Sequence, residues 1–253
     1  MNFYATIARY YDSEHADKDE DFAFYSALAD EQDGPVLIIG SGTGRIALQL
    51  AQEGHTVEGI EIERAMFDRA QVKRGQHPEV KDRLTFHNAD ALTVDLARQF
   101  ALIIIPYNTF MHFLTVEDQK ALLKRIRGWL RKDGVLALDL PNAGEAFASQ
   151  DSEAIVLERT FLELESGHLV MQQSSSRLDR VAQLMDVTWL YDEIGDEGEV
   201  KRTVVPVQIY YFFFSELSLL LETCGMQVDE VYGDFDGSPY TDGCPRMIVV
   251  ARA

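Results

Sequence analysis

Three glycines spaced two apart, Gly40, Gly42 and Gly44, follow an apolar run directly and lead into an amphipathic stretch at Arg45. Glycine is needed where a turn takes positive φ or where a ligand lies against the backbone. Such a strand-to-helix turn offers its amides and a helix start to a bound ligand, with Ser41 set between the first two glycines. Glu61 ends the next apolar run, 21 residues after Gly40. A carboxylate there can accept hydrogen bonds from both hydroxyls of a ribose, and it repels a 2′-phosphate. The dinucleotide fingerprint is G-x-G-x-x-G, and here Arg45 stands where its third glycine would fall, so the loop leans away from NAD. Farther on, the segment IIIPYNTFMHFLT carries His112, whose imidazole can orient or deprotonate a substrate or serve as a structural hydrogen-bonding group.

Those residues need elements to hold them. Val36–Gly40, Thr56–Ile62, Leu84–Asp90, Ala101–Pro106 and Val135–Leu140 read as strands, almost continuously apolar and rich in β-branched residues, as a parallel sheet covered on both faces requires. Arg45–Gln52, Arg64–Arg74 and Val116–Leu130 read as the helices between them, and a further helix is expected from Asp19 to Glu31. In the third, Leu122, Leu123, Ile126, Trp129 and Leu130 make one apolar stripe. Strand–helix alternation predicts βαβ units with right-handed crossovers.

After Pro141 the rhythm changes to alternating stretches over residues 153–214, separated by turn material such as Glu165–Gly167 and Gly195–Glu199, which predicts antiparallel strands. Ser215–Thr223 reads as a helix with Ser215 as N-cap and Gly225 as its stop, and residues 226–235 and 246–253 as two last strands. The expected organisation is α/β: residues 1–150 with 215–253 form one domain, and 151–214 an antiparallel β insertion before the last two strands. The insertion is either a lid or a dimerisation surface.

Composition excludes several partners. With 42 acidic and 23 basic side chains in 253 residues the formal net charge is −19, which opposes nucleic acid and favours solubility or a cationic substrate. No apolar run reaches the roughly 18–20 residues that cross a bilayer, and the start lacks signal-peptide character. Cys224 and Cys244 form no metal-binding pattern, so no metal site is expected, and a reducing cytoplasmic setting fits.

At its glycine loop and acidic partner the chain resembles the class I methyltransferases, which bind S-adenosylmethionine. VLIIGSGTGRIAL resembles the first motif of that family, VEGIEI the second and FHNADAL the third. The resemblance implies a Rossmann-like seven-stranded methyltransferase sheet. It further implies a cofactor site in which Gly40, Ser41, Gly42 and Gly44 meet the ligand and Glu61, with Ile62 after it, holds the ribose. Asp90 is implied to contact the adenine amine and the Ala91 amide its ring. Met66 matches a position that packs on the adenine face, with a core methionine as the alternative. Pro106, at the exit of the fourth strand, is implied to border the transferred methyl. Asn108–Phe113 resembles the N-S-F-x-H-L of glycine N-methyltransferases and the matching segment of amino-sugar N-methyltransferases, which makes His112 the catalytic candidate. ARYYD (Ala8–Asp12) resembles the Tyr-Tyr-Asp entrance of the same families. It implies a cofactor contact at Tyr10 and a catalytic role for Tyr11, against simple helix packing. Tyr232–Asp236 is expected on the substrate side.

Methyl transfer from a sulfonium is an in-line displacement, so the protein chiefly aligns the nucleophile and excludes water. The loop after the fourth strand lacks the [DN]-P-P-[YFW] of DNA amino-methyltransferases and the paired glutamates of arginine methyltransferases. A small-molecule acceptor is therefore expected, an amine before a hydroxyl, with a homodimer through the insertion as a candidate assembly. The alternatives are an O-methyltransferase, or a non-catalytic protein that binds the cofactor and acts through partners. An NAD-dependent oxidoreductase is disfavoured by Arg45 and by the absence of a Tyr-x-x-x-Lys.

Overall fold

A computed structural model describes residues 3–144 and 153–253. They form two compact units, one of residues 19–144 with 212–253 and one of residues 3–18 with 153–211. In chain order the first elements are α1 (Phe3–Glu14), α2 (Phe22–Gln32), β1 (Val36–Ile39), α3 (Arg45–Gln52), β2 (Val57–Glu61) and α4 (Arg64–Gln76). There follow β3 (Leu84–Asn88), β4 (Phe100–Ile105), α5 (Val116–Trp129) and β5 (Leu130–Pro141). The antiparallel strands are β6 (Val156–Leu162), β7 (Leu169–Asp179), β8 (Leu184–Ile194) and β9 (Val200–Tyr210). The chain ends with α6 (Phe214–Thr223), β10 (Gln227–Tyr232) and β11 (Arg246–Arg252).

The larger unit is a seven-stranded sheet in the order β10-β11-β5-β4-β1-β2-β3. β1 to β5 run parallel, and β11 is antiparallel to both β5 and β10. The expected α/β sheet is therefore present, with its last two strands after the insertion. β1 and β4 are buried along their whole length, which is why their sequences carry no polar alternation. Val36, Ile38, Ala47, Leu50, Val57, Leu84, Leu102 and Ile104 form the core beneath α2 and α3. α3 covers the sheet because Ile46, Ala47, Leu50 and Ala51 fall on one face. No described helix is long and apolar enough to cross a membrane.

The helix after the insertion starts one residue earlier than its sequence suggests. Phe213, not Ser215, caps α6, because the Phe213 carbonyl takes the first helical bond from the Leu217 amide at 3.0 Å. Gly225 ends the helix at φ 79°, as expected.

The smaller unit is an antiparallel meander, β6-β7-β8-β9, with α1 on one face. This corrects the expected domain boundary: residues 3–18 group with the antiparallel strands and not with the parallel sheet, and the unit closes at Tyr211. The reason is chemical as well as apolar. Ile7 and Tyr10 pack with Val170, Tyr191 and Val205, while the Arg9 guanidinium lies 3.3 Å from Glu163 and 3.1 Å from Glu193. The Tyr10 ring stacks on Tyr191 at 5.1 Å, and its hydroxyl donates to Glu193 at 3.1 Å. Glu14, at the end of α1, accepts from Gln172 (2.8 Å) and the Tyr191 hydroxyl (3.3 Å). Burial pushes its carboxyl above the usual range against those bonds.

Tyr10→Phe should keep the stack and lose the bond to Glu193, destabilising this unit by about 1.5–3 kcal/mol. Tyr10→Ala should cost about 3–5 kcal/mol. Urea unfolding followed by far-UV circular dichroism reads both; identical midpoints for all three proteins would remove Tyr10 from the packing of α1.

Candidate active site

Strand order decides where a ligand can sit. β1 continues to β2 and β3 on one side, and the chain then returns to lay β4 on the other side of β1. Ile38 pairs with Ile104, so the loops leaving β1 and β4 emerge side by side at the carboxyl edge. This is the switch point at which open α/β sheets hold ligands. Gly40, Gly42 and Gly44 take φ of 70°, 58° and 85°. At Gly40 the need for glycine is also steric, since a Cβ there would overlap the Thr109 side chain from the loop after β4. The two loops can touch because one of them has no side chain at the contact.

Glu61 closes β2 beneath the glycine loop. Its two oxygens accept the Gly42 and Glu63 amides, each at 2.8 Å. Burial raises its carboxyl above the usual range, while those amides pull the other way. Each carboxylate oxygen keeps a further lone pair, so two vicinal hydroxyls could still be accepted. Ser41 Oγ is buried without a hydrogen-bond partner, a hydroxyl still open to a ligand. At the end of β3, Asp90 Oδ1 accepts the Leu92 amide at 2.8 Å and Ala91 is buried beside it. Arg125 of α5 braces this turn, donating to the carbonyls of Ala91 (2.9 Å) and Val94 and lying over the Trp129 ring at 4.8 Å. Glycine amides in positive φ, an unsatisfied serine hydroxyl and a buried strand-end carboxylate fit an adenosyl ligand. Met66 is 1% exposed on α4, and Ile62 is 67% exposed.

The loop after β4 is closely constrained. Pro106 is buried, and the next two residues both adopt left-handed conformations, Tyr107 at φ 47° and Asn108 at φ 65°. For residues with a Cβ this costs about 1–3 kcal/mol each and persists only where neighbours impose it. Asp139 of β5 imposes it here: its Oδ2 accepts the Tyr107 amide at 3.0 Å and its carbonyl the Asn108 amide at 3.1 Å. Arg246 of β11 donates to Asp139 Oδ1 through Nε at 2.8 Å, and through Nη2 to both that oxygen and Asn108 Oδ1, the latter at 2.9 Å. Beyond Asn108 a 3-10 turn, Thr109–His112, carries the histidine. Burial lowers the His112 pKa to about 4, so its imidazole is neutral at physiological pH.

Thus the larger unit brings together the glycine loop, Glu61, Asp90, Ala91, Pro106 and the His112 turn around neighbouring strand ends. Tyr10 and Tyr11 lie in the smaller unit, where Tyr10 is buried as described and Tyr11 stacks on His15 at 4.4 Å. Tyr232 and Phe235 have their rings against Phe24 of α2, at 5.4 and 5.9 Å. Sequence reasoning missed Asp139, Arg246 and Arg125. One signal was available: Asp139 is the lone charge within the apolar run Val135–Leu140.

Known proteins resemble this chain in sequence and in fold. Residues 36–134 match a family described as a methyltransferase domain. The cypemycin N-terminal methyltransferase of a Streptomyces species is 26% identical over 216 residues, covering 85% of this chain and 81% of that protein. An S-adenosylmethionine-dependent methyltransferase from Clostridium acetobutylicum superposes with TM-score 0.81 at 15% identity, covering 99% of both chains. S-adenosylmethionine-bound CalS10, an amino pentose methyltransferase from Micromonospora echinaspora, superposes with TM-score 0.69 at 18% identity, covering 100% of this chain and 98% of that one. Residues 36–134 thus carry a methyltransferase domain on a Rossmann-like sheet, and the chain shares the fold of S-adenosylmethionine-dependent methyltransferases.

Proposed function

We propose that this enzyme methylates the nitrogen of a small-molecule amine. The observation that carries the reading is the position of His112 on the loop that leaves β4 at the switch point, where burial favours its neutral imidazole. When bound, S-adenosylmethionine supplies a methyl group already activated on sulfur. Glu61 would accept the ribose hydroxyls, the Gly40–Gly44 loop with Ser41 would lie along the cofactor, and Asp90 with the Ala91 amide would meet adenine. Met66 would pack on the base, Ile62 would lie beside Glu61 at the ribose, and Pro106 would border the methyl.

The acceptor nitrogen must arrive unprotonated, with its lone pair aimed along the transfer axis. Aliphatic amines have pKa values of about 8–10, several units above His112. Proton abstraction by His112 would be uphill by about 1.4 kcal/mol per unit, so its role is to accept an N–H hydrogen bond and fix the lone pair, while the proton leaves to solvent. A neutral imidazole also places no cation beside the sulfonium. Support for an amine comes from two proteins this chain resembles, one named for methylating an N terminus and one for methylating an amino pentose. The formal charge of −19 supports a cationic or neutral small molecule over nucleic acid.

The smaller unit is proposed as a homodimer interface. In register, Leu157, Gln173, Leu190 and Val204 form one cross-strand row, and Leu162, Leu169, Ile194 and Val200 another on the same face. Leu157, Leu162, Leu169, Val200 and Val204 are exposed there, on the face opposite α1.

Transfer of labelled methyl to a panel of amino sugars, α-amino acids and short peptides with free N termini, set against their hydroxy counterparts, tests the acceptor; methylation confined to the hydroxy compounds would overturn the amine reading. Glu61→Ala should weaken S-adenosylhomocysteine binding by about 10- to 100-fold in calorimetric titration, from the loss of charged hydrogen bonds. An unchanged dissociation constant would withdraw the ribose role. His112→Ala should lower kcat by roughly 10- to 100-fold with that dissociation constant unchanged, and the acid limb of its pH profile should stay with the amine. Equal turnover would leave His112 a packing residue. Sedimentation equilibrium should give a dimer that Leu162→Glu with Val204→Glu converts to monomer; a wild-type monomer rejects the interface.

A further inference from the structure

We propose that Asp139 and Arg246 are positioning residues for methyl transfer, holding Tyr107 and Asn108 in their left-handed conformations and so fixing the turn that carries His112. The proposal rests on the reading that this loop faces the acceptor. Two consecutive side-chain-bearing residues at positive φ are not a conformation the chain keeps unaided. Asp139 and Arg246 hold these two residues by three hydrogen bonds from outside the loop, to the Tyr107 amide, the Asn108 amide and the Asn108 side chain. Both anchors belong to paired strands of the sheet. Asp139 lies in β5 opposite Ile248, and Arg246 opens the neighbouring antiparallel strand opposite Pro141.

Stability alone does not account for the pair. Asp139 is 1% exposed within an apolar strand, and a well-packed apolar pair would hold β5 to β11 at least as well as a buried ion pair. What an apolar pair cannot do is accept a backbone amide and grip an asparagine side chain together. The arrangement is aimed at the loop: one carboxylate oxygen takes the Tyr107 amide, the other takes Arg246, and Arg246 reaches on to Asn108. Beyond this point the backbone turns by Thr109 donating to the Pro106 carbonyl at 3.1 Å and Met111 to the Asn108 carbonyl at 2.9 Å, so the place of His112 follows from that of Asn108. Thr109 is also the residue seated over Gly40. Asp139 and Arg246 therefore set the acceptor loop against the cofactor loop without belonging to either.

The deciding variant is Arg246→Lys. Lysine keeps a cation beside Asp139, so no buried carboxylate is stranded, but a single ammonium cannot span Asp139 and Asn108 as the guanidinium does. Three readouts are taken together: hydrogen exchange of the peptide spanning residues 106–113, calorimetric affinity for S-adenosylhomocysteine, and kcat with the fastest amine of the panel above. Expected are exchange at least 10-fold faster, kcat at least 10-fold lower, and a dissociation constant within threefold of wild type. Adding Asn108→Gly to Arg246→Lys should recover kcat at least fivefold, because glycine holds φ 65° without being gripped. Asn108→Ala, a loop change that leaves the ion pair in place, should reproduce the loss if Arg246→Lys proves unstable. Unchanged exchange, a parallel fall in cofactor affinity, or no recovery with glycine would each overturn the proposal. If no amine is methylated, the functional reading falls, while the exchange and affinity arms still decide whether this pair holds the loop.

Discussion

β1 and β4 are hydrogen-bonded neighbours, so the loops leaving their carboxyl ends must share one small volume. Gly40 allows this by offering no side chain where Thr109 arrives. The rest of the larger unit is consistent with that close approach. The three glycines turn through positive φ so that the Gly42 amide can reach Glu61, and the loop after β4 is bent back through Tyr107 and Asn108 to bring the His112 turn alongside. The glycine loop and the loop after β4 are thereby set against each other by backbone geometry before any ligand contributes.

The unit buries several charged side chains. Glu61 and Asp139 are almost wholly buried, and Asp21 is paired with Arg45 through two hydrogen bonds of 2.6 and 2.5 Å. Removing a charge from water costs several kcal/mol unless amides or counterions replace the lost hydration. Each of these carboxylates has such partners, and for Glu61 and Asp139 they include the amides of loops leaving the sheet. Burial is then a source of precision. A carboxylate in a low-dielectric setting binds its amides more strongly, and the loops that provide them lose freedom.

In the smaller unit similar physics serves assembly of the chain. α1 is joined to its sheet by a stacked pair of tyrosines and by carboxylates that share Arg9, Tyr10 and Gln172 as donors. Glu163 is fully buried, and bonds from the Glu165 and Ser166 amides and from Arg9 hold its carboxyl far below its usual range despite that burial. Together these contacts explain why an N-terminal helix groups with strands more than a hundred residues away in sequence.

How much of this was legible beforehand follows from the range of each interaction. The alternation of buried strands and amphipathic helices is local, and so the parallel sheet, the bounds of α3 and the late antiparallel insertion were all readable from periodicity. The glycine spacing and Glu61 were readable too, because the chemistry of a strand-end turn is written in adjacent residues. Pairings across the chain were not. Asp139 meets Arg246 over a separation of 107 residues, Arg125 braces Ala91 from 34 residues away, and Gln172 of β7 meets Glu14 of α1 over 158. A single sequence displays a residue's type but not its partner. It showed a charge inside an apolar strand, and only the tertiary structure decided that this charge would hold a strained loop. By itself the sequence determined which elements form and which turn can cradle a nucleoside, since both depend on neighbours along the chain. The placement of His112, the neutral state of its imidazole and the membership of α1 depend on neighbours in space, and those exist only once the sheet has closed.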